Sequence, residues 1–332
     1  MFESMKHSKD DLRVILRNTA QKMSINDAVV EKDYWVSFLL DYFFQHCEYK
    51  DRFAFKGGTS LSKCYNLIER FSEDIDLILD WRVLGFDIYE PWERRTNTKQ
   101  DKFNKESNKR VEGFIGNTLM KMIDEYLGEL LDEDYKLMID EVDPQTILFY
   151  YPKVFDSSYL TQSIRIEMGA LAAWTPSKVE EIVPYVYNFY PQVFSGDKVE
   201  VRTVSPIRTF WEKATILHHE ANRPNNLNMP LRYSRHYYDL CCIGKSEYRP
   251  LIFQTPDLLD QVVRFKEKFY PRKWAKYEDA TSKKIKLLPN NNRLEELKRD
   301  YIQMEEMFFG EHPSFDELMA EIKKLEEEIH NI

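Results

Sequence analysis

From Lys9 onward apolar positions recur at helical spacing twice, first in DDLRVILRNTAQKM and then, after Ser24, in VVEKDYWVSFLLDYFF. The pattern predicts two helices over residues 9–46, each packing on a core. FAFKGG at 53–58 is a short apolar run stopped by a glycine pair, which predicts a buried strand and a tight turn. Thr59 or Ser60 is then placed to cap a helix reaching about Arg70. EDIDLILDW at 73–81 sets five β-prone apolar residues around alternating acids, the pattern of a strand in a sheet centre. The segment from Pro91 to Gly128 is polar and then helical. In SIRIEMGAL at 163–171, Ile164 and Ile166 alternate with Arg165 and Glu167, so the two charged side chains share one strand face.

VEVRTVSPIRTFWEKATILHHEA changes from period two to helical spacing near Pro206, and the switch marks a domain boundary. The expectation is an α/β (α+β) core over residues 1–204 and a mainly helical C-terminal domain over 205–332. In the latter, Arg232–Ile243, Asp257–Tyr270 and Leu294–Phe309 read as helices, PNNN at 289–292 as a turn, and Ser314 with Glu317 as a capping box opening the last helix. No internal repeat is visible.

The 332 residues are 43% apolar, with 21 Phe, 20 Tyr and 6 Trp, enough for a sizeable core. No segment approaches the roughly 20 uncharged apolar residues that cross a bilayer, so no membrane association is expected. The N-terminal stretch is mixed in charge with no cleavage-like signal, which predicts a cytoplasmic protein. Cys47, Cys64, Cys241 and Cys242 form neither a CxxC pair nor a spaced framework and are expected as reduced thiols. A net charge of −9 excludes indiscriminate coating of nucleic acid and leaves local basic surfaces as the only route to a polyanion.

The chemistry concentrates in FKGGTSLSKCYNLIERFSEDIDL, residues 55–77. Residues two apart on a strand share a face, so Asp74 and Asp76 would present two carboxylates to one site while Ile75 packs behind. A hard cation such as Mg²⁺ binds through a few carboxylates plus substrate phosphates. Gly57 and Gly58 let the backbone approach a phosphate, with Thr59 and Ser60 at the start of the next helix; Gly58 and Ser60 would hold the phosphate tail. Lys63 adds a positive charge one turn along, and Arg70 is expected to brace the turn into the acidic strand.

KGGTSLSK followed by RFSEDIDL closely resembles the signature of AbiEii/AbiGii-type toxin nucleotidyltransferases, of the polymerase-β-like superfamily. VVEKDYWVSFLL, FWEKATIL at 210–217 and RHYYDL at 235–240 resemble further motifs of that family, so the likeness touches most of the first 240 residues. It implies a polymerase-β-like core with a mixed sheet, Asp74 and Asp76 on the metal, Gly58, Ser60 and Lys63 at the phosphates, and Lys213 and Asp239 in later catalytic positions. A third acid usually completes such sites; Glu167 is the candidate by alternation and position, with pairing to Arg165 as its other use and Asp140 and Asp143 as competitors. On its helix Lys213 shares a side with Phe210 and Leu217 and must either snorkel to solvent or meet an anion. Asp239 has Lys213 or Arg235 as prospective partners.

The resemblance implies a Mg²⁺-dependent toxin, with Mn²⁺ a substitute, of a toxin–antitoxin or phage-defence system. Its partners would be an NTP, an RNA acceptor such as a tRNA 3′ end, and an antitoxin protein. Transfer to a protein hydroxyl, or binding of a nucleotide or partner without turnover, are the alternatives. For the RNA, the basic and aromatic stretch from Arg272 to Lys286 offers Arg272, Lys273, Trp274, Tyr277, Lys283, Lys284 and Lys286; Lys99–Arg110 is the other basic segment. His218 and His219 point about 100° apart on a helix and cannot share a metal there.

Overall fold

The structure is a computed structural model that describes residues 2, 9–131, 134–157, 160–194, 196 and 198–332, with Glu306 described in its backbone only. The chain separates into two compact units, one of Met1–Cys64 with Ser72–Thr203, the other of Tyr65–Phe71 with Val204–Ile332.

The first unit opens with α1 (Lys9–Met23) and α2 (Asp27–Asp41), the latter capped by the Asn26 side chain, which accepts a hydrogen bond from the Ala28 amide. Then come β1 (Phe53–Lys56), α3 (Gly57–Lys63) and β2 (Ile75–Leu79). α4 (Asn97–Phe114) and α5 (Met120–Leu130) follow, joined by a π-helical turn. The remaining strands are β3 (Lys136–Ile139), β4 (Thr146–Tyr150), β5 (Ser163–Gly169), β6 (Ser177–Ile182) and β7 (Val199–Val204). They form one mixed seven-stranded sheet in the order β3-β4-β5-β2-β1-β7-β6, which puts the acidic strand β2 at its centre. β2 runs antiparallel to β1 and parallel to β5.

Two local expectations are corrected here. The helix after β1 begins at the first glycine, with Lys56 in the capping position and no side-chain cap, so Thr59 and Ser60 lie inside it. It also stops at Lys63, well short of Arg70, and the chain leaves helical geometry with Asn66 at φ +51°.

α2 holds this unit together, and its chemistry is unusual. Every residue from Ala28 to Asp41 is buried, including the consecutive charges Glu31, Lys32 and Asp33. Trp35 meets Phe149 of β4 edge-on at 5.9 Å and stacks on Tyr151 at 5.9 Å. A helix with no wet face must satisfy each buried charge internally, because an unpaired one costs several kcal/mol. Glu31 accepts the amides of Val154 at 2.6 Å and Phe155 at 3.1 Å. Lys32 pairs with Glu73 and donates to the Thr161 carbonyl at 2.9 Å. Asp33 pairs with Lys63 and accepts the Tyr185 amide at 2.7 Å.

The second unit is helical: α6 (Pro206–Ala221), α7 (Ser234–Lys245), α8 (Arg249–Gln254), α9 (Pro256–Phe269), α10 (Leu294–Gln303) and α11 (Phe315–Ile329). The capping box of Ser314 and Glu317 opens α11. Asp300 of α10 accepts the Arg232 amide at 2.6 Å and the Ser234 amide at 2.8 Å, fixing the start of α7. The segment 65–71 belongs here through its own bonds: Arg70 bridges Phe308, and the Glu69 amide donates to the Tyr238 hydroxyl at 3.2 Å.

Burial pushes the Glu31 carboxyl up from 4.5 to about 7, against the lowering effect of the Val154 and Phe155 amides. The folded protein therefore holds a proton there that the unfolded chain releases near 4.5. Its stabilising contribution is complete below that pH and is lost as pH rises through about 7. Urea unfolding between pH 4.5 and 7.5 should show stability declining over this window in the parent, with a flatter profile in Glu31→Gln. Equal pH slopes in the two proteins would exclude Glu31 as the source.

Candidate active site

At the β1–α3 junction Gly57 has φ +83°, a left-handed conformation that side chains resist. A Cβ placed there would overlap the carboxylate of Asp76, at 2.8 Å from its Cγ. The glycine is thus required twice, by backbone angle and by the acid seated against it. Gly57 and Gly58 are partly exposed, while Thr59 and Ser60 are buried.

The hydroxyls expected at a phosphate are held within the fold. Ser60 Oγ donates to the Gly57 carbonyl at 2.9 Å, and Thr59 Oγ1 donates to Ser72 Oγ at 3.0 Å. Lys63 is also placed otherwise than expected. Its side chain is 4% exposed and its ammonium is held by Asp33 and over the Tyr185 ring at 5.2 Å, so it braces the end of α3. The turn leaves its backbone at Gly57 and Gly58 partly exposed.

Asp74 immediately precedes β2 and Asp76 is its second residue. Strand register aligns Lys56, Asp76 and Glu167 as direct neighbours across β1, β2 and β5, so Glu167 stands beside Asp76 on the same face. The side chain of Glu167 is 41% exposed and lies 3.4 Å from Arg165, whose firmer partner is Asp140 at 2.6 Å. Asp143 accepts from Thr146 Oγ1 at 2.7 Å in the loop before β4. Among the described residues no group of three or more His, Cys, Asp or Glu side chains is placed to hold a metal ion. Asp74 and Asp76 are nonetheless hard oxygen donors of the kind Mg²⁺ takes, and a cation on two carboxylates completes its shell with water and phosphate oxygens. The residues present therefore fit such an ion, with the substrate supplying further ligands.

In the second unit Lys213, on α6, is 7% exposed and pairs with Asp239 of α7 at 2.7 Å. Asp239 has a second partner that sequence reasoning assigned elsewhere. Arg70 grips it with two bonds, Nε–Oδ1 at 2.7 Å and Nη2–Oδ2 at 2.8 Å, rather than bracing the acidic strand. Burial opposes ionisation of Asp239, but the Arg70 and Lys213 charges outweigh it and hold the carboxyl below its ordinary range. Burial likewise draws the Lys213 ammonium below its ordinary range. Two basic side chains share one carboxylate.

The basic stretch is not a helix. Short turns at Lys273–Ala275 and Tyr277–Asp279 lead into irregular chain. Arg272, Lys273, Lys283, Lys284 and Lys286 are exposed. Trp274 is half-buried, its ring 4.4 Å from that of His219 and 5.0 Å from the Arg223 guanidinium. Tyr277 is 5% exposed, which removes it as a platform for a base. His218 accepts the Lys286 amide at Nδ1, 3.0 Å, so its Nε2 carries the proton and donates to the Lys276 carbonyl at 2.9 Å. Both histidines serve the packing of this segment. No helix of the described residues is long and apolar enough to cross a membrane, and all four cysteines are free.

A family model described as nucleotidyl transferase AbiEii toxin, type IV TA system, matches residues 38–321. Among solved structures the chain is similar to MenT4, a nucleotidyltransferase toxin from Mycobacterium tuberculosis H37Rv, at 15% identity and a TM-score of 0.42, with 95% of this chain and 97% of that one covered. No curated protein matches.

Gly57→Ala should damage the site directly. The left-handed angle alone costs about 1 kcal/mol, and the new methyl displaces Asp76. Thermal melting should fall by a few degrees while nucleotidyl transfer is lost. Gly58→Ala, outside the left-handed region, should be milder in both measurements; equal effects would show that the contact with Asp76 is unimportant.

Proposed function

The chain belongs to the AbiEii family of nucleotidyltransferase toxins of type IV toxin–antitoxin systems, and from that premise we propose that it moves a nucleotide from an NTP to an RNA acceptor, in the specific form a tRNA 3′ end. The observation that carries the reading is Gly57, left-handed and lacking a Cβ, seated against the carboxylate of Asp76. It joins a backbone that can approach a triphosphate to the acids that can hold the cation neutralising it.

In this reading Asp74 and Asp76 hold Mg²⁺, with Mn²⁺ as a substitute; when bound, the ion neutralises charge at the phosphates. The Gly57–Gly58 backbone seats the triphosphate, and their freedom from side chains lets it come close. Glu167, beside Asp76 and partly exposed, takes the proton of the attacking hydroxyl. The bond from that oxygen to the α-phosphorus forms as the bond to the β-phosphate oxygen breaks, and pyrophosphate leaves. Lys213 and Asp239 act as the family pattern implies. Arg272, Lys273, Lys283, Lys284 and Lys286, with Trp274, form the RNA surface. Phage defence, a cytoplasmic site of action and a domain boundary at residues 204/205 complete the proposal.

Mg²⁺, each labelled NTP and total RNA separate the acceptors: label in RNA supports the proposal, label in protein indicates a protein hydroxyl, and no label a binding module. Asp74→Asn and Asp76→Asn should each abolish transfer without lowering the metal-free melting temperature, because each removes like-charge repulsion along with a ligand. Near-parental transfer by either would overturn the metal assignment.

Lys213→Ala should leave the Arg70–Asp239 pair in place and reduce kcat/KM, whereas unchanged kinetics with every NTP would remove Lys213 from the chemistry. Replacing Lys283, Lys284 and Lys286 together by Ala should weaken RNA binding and shrink its salt slope by about 0.7 per lost phosphate contact, while NTP binding persists. An unchanged slope would move the RNA surface elsewhere.

A further inference from the structure

The charged triplet Glu31-Lys32-Asp33 precedes the residues matched by the family model, and the chemistry above makes no use of it. Its contacts nonetheless converge on that chemistry. Lys32 binds Glu73, the neighbour of Asp74, and the Thr161 carbonyl, two residues before β5. One ammonium therefore ties the starts of two adjacent parallel strands, those that carry Asp76 and Glu167 side by side. Asp33, the next residue of the same helix, binds Lys63 at the far end of the helix that Gly57 begins. It also accepts the Tyr185 amide, so neither carboxylate oxygen is idle.

We propose that Lys32 and Asp33 are positioning residues: through Lys32–Glu73 and Asp33–Lys63, two successive residues of one buried helix set the separation between the acidic strand and the glycine turn. The inference rests on the reading of Asp74 and Asp76 as the metal site and of Gly57–Gly58 as the triphosphate site. Its physical basis is that buried ion pairs seldom stabilise a fold relative to apolar side chains of similar size, whereas their directional bonds do fix geometry. α2 can transmit that geometry because it is buried along its whole length from Ala28 to Asp41 and has no freedom to tilt into solvent. The two bonds should act on different ligands. The Lys32 side governs the carboxylates and hence the cation; the Asp33 side governs the turn and hence the triphosphate.

The test replaces each pair by apolar side chains, Lys32→Met with Glu73→Leu and Asp33→Leu with Lys63→Met. Melting temperature reports the fold. Mn²⁺ binding is followed by electron paramagnetic resonance, and binding of a mixture of the four non-hydrolysable NTP analogues at saturating Mn²⁺ by equilibrium dialysis. The first variant should melt at or above the parent temperature yet bind Mn²⁺ about 10–100-fold more weakly, the range seen when groups that orient metal ligands are removed. The second should keep Mn²⁺ affinity and lose analogue affinity by a comparable factor. If a pair variant does not melt cooperatively, Glu73→Gln and Asp33→Asn, which keep shape and an acceptor oxygen, carry the same measurements. Cooperative variants that bind both probes within twofold of the parent would overturn the inference and leave the active site standing. A parent that binds neither probe would instead overturn the reading of the site on which the inference rests.

Discussion

A helix with no solvent face cannot carry ionisable side chains unless other elements come to meet them, and α2 places three in a row under that constraint. Each draws in a different part of the first unit: Glu31 the chain at 154–155, Lys32 the starts of β2 and β5, Asp33 the end of α3 and the turn at Tyr185. The apolar neighbours Trp35 and Phe38 complete the same packing against Phe149, Tyr151 and Tyr126. Hydrophobic burial makes this helix the centre of the unit, and the charges decide which segments may surround it. Removing one member of such a pair would strand the other, at about 3–5 kcal/mol, so the arrangement is cooperative.

Much of this architecture is legible from residue pattern. The strand FAFK, the glycine turn, the acidic strand, the alternation of Arg165 with Glu167 and the change of period at Pro206 all appear in the structure close to where spacing puts them. Local rules suffice because each of these signals is set by neighbours in sequence. The charged triplet was less readable, since Glu-Lys-Asp within a helical pattern resembles a wet face. The signal that marks it is the flanking sequence: VV before and YWV after leave no polar stripe for solvent, and a helix apolar on all sides is a buried one.

Where pattern failed, long-range pairing had overridden local chemistry. Lys63 follows a glycine turn at a distance suited to a phosphate, but Asp33, thirty residues away, holds it. Arg70 lies next to the acidic strand in sequence, yet its guanidinium meets Asp239 across 169 residues. Thr59 and Ser60 have the composition of helix caps, but the helix already begins at Gly57 and takes both inside. Tyr277 sits among cations as a stacking residue would, yet the residue is only 5% exposed. None of these partners is visible in a window of a few residues.

The stretch from Phe55 to Leu77 thus serves more than one structure at once. Its ends, the glycine turn and the acids, belong to the sheet of the first unit, while Tyr65–Phe71 between them belongs to the second. That middle segment supplies Arg70, which shares buried Asp239 with Lys213. Asp239 in turn accepts hydrogen bonds from both side chains and orients them. The short spacing between glycine and aspartate motifs therefore carries a residue, Arg70, whose pairing belongs to the helical unit.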